Sequence, residues 1–361
     1  MIGSTFDPIM LNTLIGGSSV LDIPRLNLKT KEEAEQFILA YGYNVHDESD
    51  VARLWSFHRR AVTYLQTQLL PPGEIVPEQL SEAVLVGDIT QLLLWASSQD
   101  DKEKQSWACA ILRVMHVISH LSNDLFTAFS EDIQAQIIKP YHEMVITDGD
   151  GRIKLSRAGD PEEIPLEKFD IKPFKTSNSS ITKLLAKPGE VAFAVLDKMG
   201  VRFVTRTVFD SFRVLRWLER NHVISYPHLI PDQSNNTLYP LNLFVEVVKD
   251  LPKGQELTGE EIDRLLEAKL KTSMERATYR EKLNTFTDRR YRFMKFIVRR
   301  LIRAKTEAVG RPFMFYYPYE IQIMDLATYE SNLQGPSSHG EYKGRQRNRA
   351  RERVFGLGSQ S

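Results

Sequence analysis

The chain has one cysteine in 361 residues, Cys109 in the apolar run Trp107-Ala108-Cys109-Ala110-Ile111-Leu112. An intramolecular disulfide and a cysteine-based metal site are therefore excluded. A reducing compartment suits such a chain, and a cytoplasmic location is expected. Also lacking is any uninterrupted apolar run near the roughly 20 residues that span a bilayer. The N-terminal residues show neither the basic start nor the apolar core of an export signal, so a membrane partner is not expected. Net charge is missing too: 47 Lys and Arg balance 47 Asp and Glu, and the total favours no polyanionic partner until the charges are located along the chain. What remains is an ordinary globular composition, 42% hydrophobic and 26% charged, long enough for two or three structural units.

Residues 1–28 are rich in Gly, Ser, Pro and Leu without a period, which predicts an irregular arm. Thr30-Lys31-Glu32-Glu33 then matches a Thr-x-x-Glu capping box, followed at helical spacing by Ala34, Phe37, Ile38 and Tyr41. Helical periods recur over 51–70, 78–96, 105–129 and 131–143, broken at Pro71-Pro72, Ser97-Ser98 and Ser130. The pattern predicts an N-terminal helical bundle over 1–150, ending at the turn-rich Asp148-Gly149-Asp150-Gly151. Beyond it, 191–196, 200–207 and 241–249 are strand-like, 208–221 is helical, and 250–282 is charged and helical from Thr258. A basic helix is predicted over 289–305, then a strand pair within 313–324. The expected fold class is α/β or α+β, the bundle preceding a mixed-sheet domain over 151–345, with a basic flexible tail over 346–361.

Two segments place acids at the edge of apolar β-runs: Asp197-Lys198-Met199-Gly200-Val201-Arg202 and Glu320-Ile321-Gln322-Ile323. Period-2 geometry puts Glu320 and Gln322 on one strand face, Ile321 and Ile323 on the other, and lets Arg202 and Arg206 share a face. Spacing alone leaves two readings open: a turn-capping Asp197 with an exposed Glu320, or a site.

The stretch Lys175 to Leu184, then Asp197-x-x-Gly200-x-Arg202, then Glu320-Ile321-Gln322-Ile323, then His339-Gly340-Glu341-Tyr342-Lys343 resembles, in content and order, the synthetase domain of the RelA/SpoT family. The likeness spans residues 168–345. It implies a nucleotidyltransferase-like mixed sheet that moves the β,γ-pyrophosphate of ATP onto the 3′-hydroxyl of GDP or GTP. It also implies magnesium held by Asp197 and Glu320, since phosphoryl transfer is catalysed mainly by positioning and charge neutralisation. On the same pattern Glu320 accepts or steers the proton of the attacking hydroxyl and Gln322 orients it. Lys175, Lys183, Arg202 and Arg206 meet ATP phosphates, and Arg292, Lys295, His339 and Lys343 serve the acceptor. The base would stack on Tyr291, with Tyr239 as rival. The chain departs from the family at Pro173, where an arginine is usual, and at Met324-Asp325, where Arg-Thr is usual. It also lacks the glycine of the tyrosine loop, and 226–288 is an apparent insertion. The same chemistry on an adenosine nucleotide or a tRNA 3′ end, and a catalytically silent nucleotide-binding protein, stay open beside it; the oligomeric state is undetermined.

Residues 280–305 carry ten Lys or Arg against two acids, so the basic helix would be a packed helix with a solvated face, a phosphate funnel or an RNA surface. His116, His120 and Asp124, at i, i+4 and i+8, share one helix face, suited to a polar seam or to a metal, though no second ligand-bearing segment accompanies them. His46-Asp47 matches a dipeptide of the hydrolase half of long family members but without its surroundings.

Overall fold

The computed structural model describes residues 8–122, 125–172, 177–187, 196, 198–252, 257–280, 292–305, 313–333 and 339–356. The fold is α+β. The chain divides into two compact units built from interleaved segments: Met1–Asp124 with Thr176–Val195 and Lys343–Ser361, and Leu125–Lys175 with Leu196–Tyr342.

The first unit is helical. Its elements are α1 (Pro8–Leu14), α2 (Lys31–Ala40), α3 (Glu48–Tyr64), the short α4 (Glu78–Ser81) and α5 (Ala83–Val86), α6 (Thr90–Ser97) and α7 (Lys102–Ser122). The arm expected to be irregular thus contains a helix, α1. Thr30 caps α2 by accepting from the Glu33 amide, but the Glu33 carboxylate turns back to the Lys29 amide at 2.6 Å rather than to Thr30. Asp47 caps α3, which gives the His46-Asp47 dipeptide a local structural role. Leu92 of α6 and Ala108, Ile111, Val114 and Ile118 of α7 are buried.

The second unit begins with α8 (Leu125–Met144), bent at Phe129, next to the break read at Ser130. A three-stranded antiparallel sheet follows: β1 (Val145–Thr147), β2 (Ile153–Leu155) and β3 (Ile164–Leu166). Then come β4 (Lys168–Lys172), α9 (Ser177–Ala186, which belongs to the first unit), β5 (Gly200–Thr205) and α10 (Val208–Arg220). They are followed by β6 (Asn235–Asn236), α11 (Leu241–Asp250), α12 (Gly259–Thr272), β7 (Met294–Ala304), β8 (Phe313–Asp325), α13 (Leu326–Leu333) and α14 (His339–Val354). The main sheet runs β4-β5-β8-β7-β6, parallel only between β5 and β8.

Four expected elements differ. Residues 241–249 form α11, because Leu243 and Val247 recur at four and Phe244 stacks on Phe212 of α10, centroids 3.7 Å apart; the run is helical amphipathic, not alternating. The expected basic helix over 289–305 is strand β7 where the structure describes it. Buried Met294, Phe296 and Val298 alternate with Lys295, Ile297 and Arg299, and β7 pairs with β8 from Met294↔Ile323 to Ala304↔Phe313. With the helix gone, Lys295, Arg299 and Arg303 share one face of a strand instead of a helical stripe, and the strand pair within 313–324 is one strand of a hairpin with β7. The tail is also corrected: α14 runs to Val354, with Gln346, Ala350 and Val354 buried. Arg353, paired to Asp22 at 2.5 Å, donates to the carbonyls of Leu184 and Leu185 at the end of α9. The strand expected over 191–196 falls almost wholly outside the described residues.

One face of the main sheet is apolar. Tyr141 of α8 packs its ring against Phe169, Phe203 and Tyr319, and its hydroxyl meets that of Tyr319 at 3.0 Å. The other face carries the charged residues, with buried Val204, Ile297 and Met324 beside them.

Candidate functional site: a charged sheet face

The charged face follows from strand alternation. Lys168, Asp170 and Lys172 point one way from β4, Gly200 and Arg202 from β5, Glu320 and Gln322 from β8, and Lys295 from β7. Register aligns them in rows. Asp170, Arg202, Gln322, Lys295 and Asn235 lie side by side across all five strands; Lys172, Gly200 and Glu320 form the next row.

Glu320 sits at the centre, 5% exposed. Its Oε1 accepts from the Lys172 ammonium, and its Oε2 lies 3.3 Å from that of Lys295. Gln322, also buried, accepts from Arg202 Nε at 3.0 Å, and the Arg202 guanidinium reaches Asp170 at 3.7 Å. Lys168 lies 3.6 Å from Asp170 and donates to Tyr329 Oη at 2.8 Å, and the Tyr329 ring faces both Lys168 and Arg202. Among the described residues, four cations against two carboxylates make the face net positive. Fixed on paired strands, they need little reorganisation to receive a polyanion.

Gly200 permits this arrangement. A Cβ there would stand 2.8 Å from the Glu320 carbonyl oxygen and 3.0 Å from its Cβ, so only glycine lets β5 pass this close to β8. Beside it, Lys198 is buried, and burial pushes its ammonium down to about 8.

Of the residues expected in a site, the structure gathers Glu320, Gln322, Arg202 and Lys295 on this face. Asp197, Lys175 and Tyr291 lie outside the described residues, as does the His339 side chain. Arg206 is not gathered: β5 ends at Thr205, and Arg206 is exposed and paired with Glu260 at 3.2 Å. Arg292 instead holds the carbonyls of Thr237 and Leu238. Tyr239, the rival stacking ring, is buried, its hydroxyl donating to the Leu266 carbonyl at 2.8 Å; burial pushes it up to about 12. That makes it a core residue. Lys183, half-buried in α9, and the exposed Lys343 belong to the first unit, whereas the face is built from the second.

Lys168, Asp170, Lys172 and Tyr329 were missed. The alternation Lys168-Phe169-Asp170-Ile171-Lys172 carried the signal for the first three, since a polar residue at every second position marks a half-buried strand. On metals, the face offers the hard oxygen donors magnesium prefers, Glu320, Asp170 and the Gln322 carbonyl, although both Glu320 oxygens already meet ammonium groups. Among the described residues no group of three His, Cys, Asp or Glu could hold a metal ion, and no helix is long and apolar enough to cross a membrane.

The sequence matches no protein-family model and no curated protein. Among solved structures it is similar to small alarmone synthetase 1 from Bacillus subtilis bound to its product pppGpp, at 14% identity, covering 53% of this chain and 74% of that one, with a TM-score of 0.25. It is also similar to small alarmone synthetase 2 from Bacillus subtilis, at 16% identity, 54% and 77% coverage and a TM-score of 0.22. A GTP pyrophosphokinase family protein from Streptococcus pneumoniae gives 15%, 53%, 71% and 0.24. Such identities and TM-scores are too low to transfer a function.

Proposed function

We propose that the second unit transfers the pyrophosphate of ATP to the 3′-hydroxyl of a guanosine nucleotide. The observation that carries this reading is the buried Glu320 at the centre of a cationic sheet face, in the row of Lys172 and Gly200 and next to the row of Arg202, Gln322 and Lys295. The order of the four sequence blocks that resemble the RelA/SpoT synthetase domain supports it. Triphosphate oxygens would take the cations Lys172, Arg202 and Lys295, releasing the Glu320 carboxylate to accept the proton of the attacking hydroxyl. Gln322, held by Arg202, would orient that hydroxyl or Glu320 itself. Magnesium, when bound at Glu320 and Asp197, would neutralise the charge developing on the phosphates.

The test is product analysis of purified protein with magnesium, ATP and GDP or GTP. AMP release that disappears in folded Glu320→Gln is expected; AMP release undiminished in that variant would refute the assigned site. A second reading, nucleotide binding without turnover, is favoured by the two ammonium groups that already occupy Glu320, and by Pro173 and Met324-Asp325. Calorimetric ATP binding with no AMP formed under any acceptor would select it.

A further inference from the structure

The first unit contains a cavity of about 150 Å³ bounded by α2, α3, α6, α7 and the segment before α2. Its surface is almost wholly apolar, with walls from Phe37, Leu54, Phe57, Leu93, Ala96 and Met115. It opens to solvent beside Val20, Phe37 and Tyr41, each more than a third exposed. A hollow of this size takes a single benzene ring, and its apolar walls gain dispersion contacts when such a group fills it.

One end is polar in a defined way. The Tyr41 hydroxyl lies 2.6 Å from His116 Nδ1 and 3.1 Å from Ser119 Oγ, while Ser119 Oγ donates to the His116 carbonyl at 2.8 Å. The Tyr41 hydroxyl thus bridges His116 Nδ1 and Ser119 Oγ, its donor role following the His116 tautomer. Burial pushes Tyr41 up to about 12; burial, and then His120, take His116 down to about 4, so both are neutral near pH 7. Beyond Tyr41 and Ser119 lies a second, polar hollow of about 230 Å³, bordered also by Asp50, Arg53 and His120. Of the two arginines that line the cavity, both half-buried, Arg113 donates to the carbonyls of Ile23 and Val354, and Arg25 lies against the Gln99 side-chain amide. Cys109 is no covalent handle, since burial pushes its thiol up.

We propose that this cavity binds a small uncharged molecule, one apolar ring or short chain bearing a single hydroxyl, with the apolar part on the Leu93, Ala96 and Met115 walls and the hydroxyl on the Tyr41–His116–Ser119 network. The site is independent of the chemistry assigned to the second unit. Three probes of one shape test it: p-cresol, toluene and 4-methylbenzoate, titrated into the full chain while the Met115 methyl resonance is followed. Expected are saturable shifts with p-cresol, roughly tenfold weaker binding of toluene, the equivalent of one neutral hydrogen bond, and binding of 4-methylbenzoate weaker still. Tyr41→Phe should bring p-cresol and toluene to within about threefold, and Ala96→Leu, which fills the cavity, should weaken both at least tenfold. If Ala96→Leu does not fold, the wild-type and Tyr41→Phe titrations decide. No Met115 shift with p-cresol or toluene, or a preference for p-cresol that survives Tyr41→Phe, would overturn the proposal.

Discussion

Replacing Lys172 with methionine tests whether the cations of the sheet face are held by Glu320 or merely lie near it. The Glu320 carboxylate is 6% exposed and engages Lys172 on one oxygen and Lys295, 3.3 Å away, on the other. Two unit charges in contact attract by about 4 kcal/mol at an effective dielectric of 20, and leaving a buried charge short of a partner costs about 3–5 kcal/mol. Two features reduce that figure. Lys172 keeps 28% of its side chain in solvent, so its own desolvation is partial, and Lys295 remains beside the carboxylate in the variant. The net expectation for Lys172→Met is about 1–3 kcal/mol of destabilisation. In the Glu320→Gln background the same change should cost about 1–2 kcal/mol less, because no carboxylate is left uncompensated. Urea unfolding of the four proteins, with m unchanged, measures this coupling. Effects that add to within about 0.3 kcal/mol would show that Lys172 and Glu320 do not depend on one another, and the arrangement of the face would have to be abandoned.

Three further outcomes follow from individual residues. Gly200→Ala should cost about 1–3 kcal/mol and lower any turnover, because its Cβ meets the Glu320 backbone, while Gly149→Ala, with open space around it, should be near neutral; equal urea midpoints would refute the close-approach argument. Asp263 lies partly buried beneath the start of α10, and burial, offset by hydrogen bonds from the Val208 and Phe209 amides, raises its carboxyl to about 6. Its folded form therefore holds a proton that the unfolded chain has released, so its contribution to stability should fall as pH rises from about 4 to about 6; a carbon-detected titration midpoint near 4 would contradict this. Arg353→Ala removes the pair with Asp22 and the donors to the last carbonyls of α9, and should lower stability by about 2 kcal/mol in urea unfolding, whereas an unchanged midpoint would mean α14 does not secure the first unit.

How much could be read in advance depended on how local the signal was. Helix starts at Thr30 and Thr258 are set by residues within three positions, and the period-2 placement of Glu320 and Gln322 needs only β8 itself. These were legible. Residues 289–305 misled because the run Met294 to Ala304 satisfies a helical stripe of basic residues as well as alternation, and only the eleven pairings with β8 decide between them. α11 was misread as a strand although Leu243 and Val247 already recur at helical spacing, and Phe244 stacking on Phe212 fixes its buried face. Within the site, the roles of Lys172 and Asp170 depend on the antiparallel register of β4 on β5, which no single segment encodes. What demands glycine at 200 is a neighbouring strand 120 positions along the chain.

The most direct measurement of the central claim uses ATP labelled at the β-phosphate, incubated with magnesium, the full chain and GDP or GTP, followed by separation of the nucleotides. Pyrophosphate transfer requires the label to move onto the guanosine acceptor as AMP is released, and the transfer to vanish in Glu320→Gln. Label retained in ADP, or no AMP formed with either acceptor, would contradict the account.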